Sequence, residues 1–222
     1  MENYYANKLN STKLFQVYDT AIPRIKRYLE SEIEFAKGCI KQDDDVLEIG
    51  CGYGRILAAL SPFTKSLTGV DISEDSISLA RKHLENFDNV QLLAMDANDM
   101  TLSSQFDVVL CLQNGLSSMK VEPFSFIAQT TALLKAGGKA LYSTYSPLFW
   151  ECRLSWFEEQ ASKKLLGEID HGQTKDGVIV CKDGFTAKTF SEDDLHKAGK
   201  ASGFSYEVKT VDDSSIFLII SK

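Results

Sequence analysis

The sequence predicts an α/β fold in which a mostly parallel sheet carries helices on both faces. Three observations predict it. Short apolar runs alternate with helix-like stretches through the middle of the chain. Several of those runs are continuous rather than alternating, as strands buried on both faces require. One of them, Val46-Leu47-Glu48-Ile49, passes directly into Gly50-Cys51-Gly52-Tyr53-Gly54, and Arg55 to Leu60 follows with helical spacing. That is strand, tight turn and helix in immediate succession.

The elements follow in order. Tyr4 to Tyr18 is aromatic-rich and weakly periodic. Pro23 suits the first turn of a helix with Ile25, Leu29, Ile33 and Ala36 as its apolar stripe and Gly38 as its end. After the glycine turn, Pro62 closes the next helix, Ser66 to Val70 forms a strand, and Ser73 caps a helix over Glu74 to Asn86. Strands are expected over Val90 to Met95 and Phe106 to Leu112, a helix over Phe124 to Lys135, a turn at Gly137-Gly138, and a strand over Lys139 to Tyr145. Beyond Pro147 the rhythm changes. Leu148 to Gln160 reads as an aromatic-rich helix, and Leu165 to Ile169 with Val178 to Cys181 reads as a hairpin inserted on the core. Ser191 then opens a helix that ends near Gly203. Strands over Phe204 to Val211 and Ile216 to Ile220 flank a turn so short that they must pair antiparallel.

Composition narrows the function. The 222 residues suit one domain, and 44 % hydrophobic with 25 % charged residues is ordinary for a soluble protein. No apolar run approaches a membrane span, and Met1 to Asn10 lacks a secretory pattern, so a cytoplasmic protein is expected. The net charge of −7 without a basic cluster disfavours nucleic acid as a partner. Five cysteines without a Cys-x-x-Cys pair and three scattered histidines give no metal-ligand spacing. No metal is expected.

The glycine turn calls for a small molecule, because glycine permits positive φ and lets a ligand lie against backbone at a helix N-terminus. Its Gly-x-Gly-x-Gly spacing matches neither the dinucleotide nor the triphosphate loop. Asp71 ends the second strand about 20 residues later, where an acid accepts ribose hydroxyls. An acid there also suits NAD, or a plain helix-start cap. Glu48 ends a buried strand and needs a partner, since an isolated buried carboxylate is costly.

These motifs, with Gly69-Val70-Asp71-Ile72-Ser73, Met95-Asp96-Ala97, Phe106-Asp107-Val108-Val109 and Leu133 to Gly138, resemble the class I S-adenosylmethionine-dependent methyltransferases. The resemblance covers about Asp45 to Tyr145 and implies a Rossmann-like three-layer α/β/α sandwich with a seven-stranded sheet whose last strand is antiparallel. On that pattern residues 1–40 are an N-terminal helical cap, 41–146 the cofactor-binding core, 147–190 a lid or dimerisation insert, and 191–222 the last helix and strands. The implied cofactor is S-adenosylmethionine, with S-adenosylhomocysteine as product. Its site would use Glu48, Gly50, Cys51, Gly52, Asp71, Ile72, Asp96, Ala97, Leu112 and Gln113, with Glu48 near the charged methionine portion and Ile72 on the adenine. Asp107 reads as structural.

Methyl transfer needs orientation more than acid-base chemistry. Asn114 and His171 are therefore only weak catalytic candidates. Tyr5, Tyr18, Asn114, Tyr145 and Trp150 are candidate acceptor walls, with Tyr4, Phe149 and Trp156 beside them, although aromatic side chains also fill cores. Arg55 either neutralises a carboxylate or coats its helix. Gln113-Asn114-Gly115-Leu116 departs from the Asn/Asp-Pro-Pro-aromatic pattern of methyltransferases acting on nucleic-acid bases. The expectation is methylation of N or O on a small molecule. Its competitors are a protein or RNA methyltransferase, an NAD-dependent oxidoreductase, and a non-catalytic cofactor-binding scaffold.

Overall fold

The computed structural model describes residues 4, 9, 11–103 and 105–222. Its strands are β1 (Asp45–Ile49), β2 (Ser66–Asp71), β3 (Val90–Ala94), β4 (Phe106–Cys111), β5 (Leu134–Tyr145), β6 (Val178–Val180), β7 (Thr186–Lys188), β8 (Ser205–Val211) and β9 (Ser215–Ser221). The helices are α1 (Ser11–Tyr18), α2 (Pro23–Lys37), α3 (Arg55–Leu60), α4 (Glu74–His83), α5 (Gly115–Ser118), α6 (Pro123–Ala132), α7 (Trp150–Ser162) and α8 (Glu192–Ala201).

Seven strands form one sheet in the order β3-β2-β1-β4-β5-β9-β8. β1 to β5 pair in parallel, and β9 runs antiparallel between β5 and β8. The chain winds outward from β1 to β3, then crosses to β4 on the other side of β1. That reversal opens a crevice at the carboxyl ends of β1 and β4, where open α/β sheets bind ligands.

Alternation along the central strands fills both faces. Leu47 and Ile49 of β1 join Val109 and Cys111 of β4 in a core with Phe126 and Ile127 of α6 and Leu195 of α8. Val46, Val108 and Leu110 point the other way, into Ala36 of α2, Leu57 of α3 and Ile77 of α4. This explains the unbroken apolar runs in the sequence. A third cluster joins Ile25 and Tyr28 of α2 to Tyr145, Phe149 and Trp156, and a fourth packs the β6–β7 hairpin under Phe157.

Two expectations are corrected. The helix expected to reach Lys135 stops at Ala132, and β5 starts at Leu134. The β4–β5 register jumps from Phe106 opposite Leu134 to Val108 opposite Lys139. The intervening residues bulge, and a Cβ on Gly138 would approach the carbonyl oxygens of Asp107, Lys135 and Phe106 at 2.9 to 3.1 Å. The hairpin also has a different partner. Val178–Val180 pairs with Thr186–Lys188, while Ile169 meets Cys181 only in an isolated bridge. The five residues between β6 and β7 close more readily, through Cys181 N–H to the Phe185 carbonyl at 2.9 Å and Gly184 at φ 92°.

Candidate functional site

The crevice begins where β1 ends. Gly50, Gly52 and Gly54 hold φ values of 79°, 53° and 84°, which turn the chain sharply onto the N-terminus of α3. The N–H groups of Gly50 and Cys51 bond the Val70 carbonyl at 2.8 and 3.0 Å, fastening the loop to β2. Asp71, at the end of β2, accepts from Gly52 N–H through Oδ2 and from Ser73 N–H through Oδ1, both at 2.9 Å. Burial raises its pKa, and these two donors oppose the rise. Each carboxylate oxygen keeps a lone pair beyond these bonds. The helix cap is Ser73 itself, whose Oγ accepts from Ser76 N–H, so Asp71 is not needed for that task. Beside it Ile72 is 37 % exposed, an apolar surface facing the same cavity. Asp96 accepts from the Asn98 backbone and side chain at 2.9 and 3.1 Å, next to buried Ala97.

Along the inner edge, polar groups are buried without partners. Glu48 Oε2, Arg55 Nη2 and Gln113 Nε2 have none among the described residues. Burial pushes the Glu48 carboxyl up to about 8, against the pull of the Arg55 charge and with a further push from Asp71. The Arg55 guanidinium lies 4.8 Å from the Tyr18 ring centre. All three side chains line one cavity, together with Gly50, Cys51, Gly52, Asp71, Ile72, Asp96, Ala97 and Leu112. Every residue that the sequence assigns to the cofactor is therefore in this lining. Orphaned polar atoms are costly in a finished interior, and here an acid, a guanidinium and an amide share one chamber.

A residue that the sequence reading missed supports the rim. Glu32 of α2 is fully buried, accepts from Gln113 N–H at 3.0 Å and from Ser215 Oγ at 2.6 Å, and desolvation raises its pKa to about 7. Gln113 and Asn114 both adopt positive φ, 54° and 62°, so the β4–α5 turn is strained. The Glu32 carboxyl and Ser143 Oγ, at 2.7 Å, hold the Gln113 N–H in that turn. An acid four residues from Tyr28 and Ala36 on the buried side of α2 was the available signal.

The far end of the cavity is walled by Tyr18, Tyr145, Trp156, Phe157, Gln160 and Ala187. Asn114 also lines it, but its side-chain amide is committed. Thr144 Oγ1 donates to Asn114 Oδ1 at 2.9 Å, and Asn114 Nδ2 donates to the Lys188 carbonyl at 2.9 Å. Four candidates lie elsewhere. His171 is on the exposed hairpin approach, 3.8 Å from Glu158, and is not in the lining. Trp150 packs against the hairpin cluster and the Arg153 guanidinium, because the start of α7 points its side chain away from the crevice. Phe149 stacks behind Tyr145 in the core, and Tyr4 bonds Asp183. Tyr5 lies outside the described residues.

The same region carries a family match: residues 46–138 fit the model of a methyltransferase domain. Over that stretch the chain is similar to a methyltransferase domain. The chain is similar in sequence to ubiquinone biosynthesis O-methyltransferases. The protein of that name from Coxiella burnetii is 34 % identical over 125 residues, covering 55 % of this chain and 50 % of its own length. One from Hydrogenovibrio crunogenus is 25 % identical over 137 residues, covering 60 % and 56 %. The chain thus spans about half the length of the curated relatives it matches. Among solved structures, a complex of DhpI with SAH aligns at a TM-score of 0.64 and 20 % identity, covering 94 % of this chain and 90 % of that one. The N-methyltransferase NodS from Bradyrhizobium japonicum WM9, also with S-adenosylhomocysteine, aligns at 0.58 and 14 %, covering 100 % and 99 %. Both share the fold. Among the described residues, no helix is long and apolar enough to cross a membrane.

Proposed function

We propose that the protein is an S-adenosylmethionine-dependent methyltransferase that acts on a small molecule. The observation that carries this reading is the set of buried, unpartnered polar atoms on Glu48, Arg55 and Gln113 beside the glycine turn, one strand away from Asp71. That set fits a ligand with a cationic amine and a carboxylate at one end and a ribose at the other. Glu48 takes the ammonium and Arg55 the carboxylate. Asp71 accepts the ribose hydroxyls, Ile72 and Ala97 flank the adenine, and Asp96 accepts its exocyclic amine.

When bound, the cofactor supplies a methyl group on a sulfonium, to whose carbon an acceptor lone pair bonds as the carbon–sulfur pair returns to sulfur. The chain's own part is positioning. α1 and α7 close the crevice and exclude water, and the Gln113-Asn114 turn fixes the floor on which the acceptor meets the reacting centre. Among the described residues, no histidine or lysine lines the cavity. The names of the relatives favour oxygen as the acceptor atom.

The test is turnover with labelled S-adenosylmethionine over a panel of small phenols and amines. Formation of S-adenosylhomocysteine with a stoichiometric methylated product is expected. Product found only on added protein or RNA would contradict the small-molecule assignment.

A further inference from the structure

We propose that the α7 end of the cavity binds an uncharged aromatic acceptor, and that Gln160 is the residue that reads its polar group. This rests on the cofactor assignment made above, because it treats Glu48, Arg55 and Gln113 as already engaged.

Gln160 is 3 % exposed and lines the cavity, yet its side-chain amide makes no hydrogen bond among the described residues. Its amide atoms are not among the sealed, unpartnered ones, so they face the cavity, where a ligand group that bonds them gains about 0.5 to 1.5 kcal/mol net. The neighbouring amide, Asn114, already has a partner on each of its two polar atoms, Thr144 on Oδ1 and the Lys188 carbonyl on Nδ2. Arg153 is the nearest cation behind this wall. Its Nη1 and Nη2 donate to the Gly177 and Ala187 carbonyls at 2.9 and 3.0 Å, which fastens α7 to the hairpin, and the residue is not in the lining.

The charge distribution sets the acceptor's charge. Among the described residues the charged ones in the lining are Glu48, Arg55, Asp71 and Asp96; the acids lie by the glycine turn and the β2 and β3 ends, and the Arg55 guanidinium reaches to 4.8 Å from the Tyr18 ring. Around Gln160 the described lining is mainly rings and aliphatic groups, with the Arg153 guanidinium behind the Tyr145 ring, 4.5 Å from its centre. An ionised acceptor would lose its hydration there without a charged lining residue, among those described, in direct contact, at a cost of several kcal/mol. A flat, neutral ring meets ring faces and edges on Tyr18, Tyr145, Trp156 and Phe157 and loses little on transfer from water. Its hydroxyl or amine then supplies the missing partner for the Gln160 amide. Trp156 Nε1 bonds the Val17 carbonyl at 3.1 Å, so the wall is held at a fixed distance from α1.

Three probes of matched size separate the possibilities: 4-propylphenol, 4-propylbenzoate and 4-propylbenzylamine, titrated into protein saturated with S-adenosylhomocysteine. The phenol is expected to bind about tenfold or more tightly than either ionised probe, since among the described residues no charged lining side chain meets one at this end. Gln160→Leu and Gln160→Met should weaken phenol binding about three- to tenfold, the scale of one neutral hydrogen bond, with S-adenosylhomocysteine affinity unchanged. Gln160→Glu should shift preference toward the benzylammonium probe, which a purely structural residue would not do. Tighter binding of benzoate or benzylammonium to the wild-type protein would overturn the inference. So would Gln160 variants that hold the cofactor product and bind all three probes as before. If the wild-type protein failed to bind S-adenosylhomocysteine at all, the underlying cofactor assignment would fall instead, and this inference with it.

Discussion

Glu48 and Glu32 are carboxyls whose burial outweighs their partners, and both pKa values are raised, to about 8 and about 7. A raised carboxyl binds its proton more tightly in the folded state. Its contribution to stability is full below the ordinary carboxyl range and is lost as pH climbs to the folded value. The protein should therefore lose stability between about pH 4.5 and pH 8, and urea unfolding across that interval checks the sign. Ligand binding adds a second consequence. A cationic amine beside Glu48 favours its ionised form, so affinity for S-adenosylhomocysteine should rise as pH approaches about 8 and flatten above it. Glu48→Gln should remove that slope, and a slope that persists in the variant would take Glu48 out of the amine site. Glu48 and Asp71 were legible in the sequence because each ends a strand beside a motif. Glu32 was not, because its partner Ser215 lies 183 residues away and only folding brings them together. Arg55 stayed ambiguous until its buried, unpartnered nitrogen appeared in the cavity.

At the scale of elements, α1 lies directly across the glycine turn. Ser11 N–H donates to Ser76 Oγ at 3.0 Å, and the Phe15 and Tyr18 rings stand 5.4 and 6.1 Å from that of Tyr53. A Cβ at Gly52 would come within 2.7 Å of Leu14 Cδ2, at a φ of 53° that other residues adopt with strain. Gly52→Ala should cost about 1 to 2 kcal/mol of stability from the left-handed backbone. It should also weaken S-adenosylhomocysteine, because Leu14 must back away from the loop. Thermal unfolding and calorimetry on the same sample separate the two effects, and unaltered affinity would show that α1 does not cover the ligand. The strand-turn-helix that sets this geometry was plain in the sequence, since glycine spacing and apolar runs are local signals. The β6–β7 pairing was not, because its short strands carry a weak alternation and the competing run at Leu165 to Ile169 is equally apolar. Ala187, which the hairpin brings to the cavity, was missed for the same reason, whereas Phe157 and Gln160 lie on a helix that was read and were missed because only folding shows which of its faces meets the cavity.

Across the whole molecule the sheet divides its labour between its two ends. The carboxyl ends of β1, β2 and β4 line the cavity, while the opposite end is tied by Lys135, whose Nζ lies 2.7 Å from both Asp45 and Asp107. At Asp45 the Lys135 hydrogen bond acts most strongly and holds the carboxyl well below the usual range. At Asp107 burial acts most strongly and pushes upward, yet the Lys135 ammonium and the Asp45 N–H together keep that carboxyl below its ordinary value. Because Lys135 is partly exposed, Lys135→Met should cost only about 1 kcal/mol and leave ligand affinity unchanged. A change in affinity would mean that the two ends are coupled. The mostly parallel sheet and the antiparallel final pair were legible from alternation and the short turn at Asp212-Asp213-Ser214, whereas the β4–β5 bulge depends on carbonyls packing around Gly138. The roles of the crevice residues all turn on the identity of the ligand they hold. Calorimetric titration with S-adenosylmethionine and S-adenosylhomocysteine, with NADH as control and Asp71→Ala alongside, tests it most directly. Binding of the first two alone is predicted, weakened in the variant by about 1 to 3 kcal/mol, the scale of lost charge-assisted hydrogen bonds. Folded, ligand-free protein that bound neither, or that bound NADH instead, would contradict it.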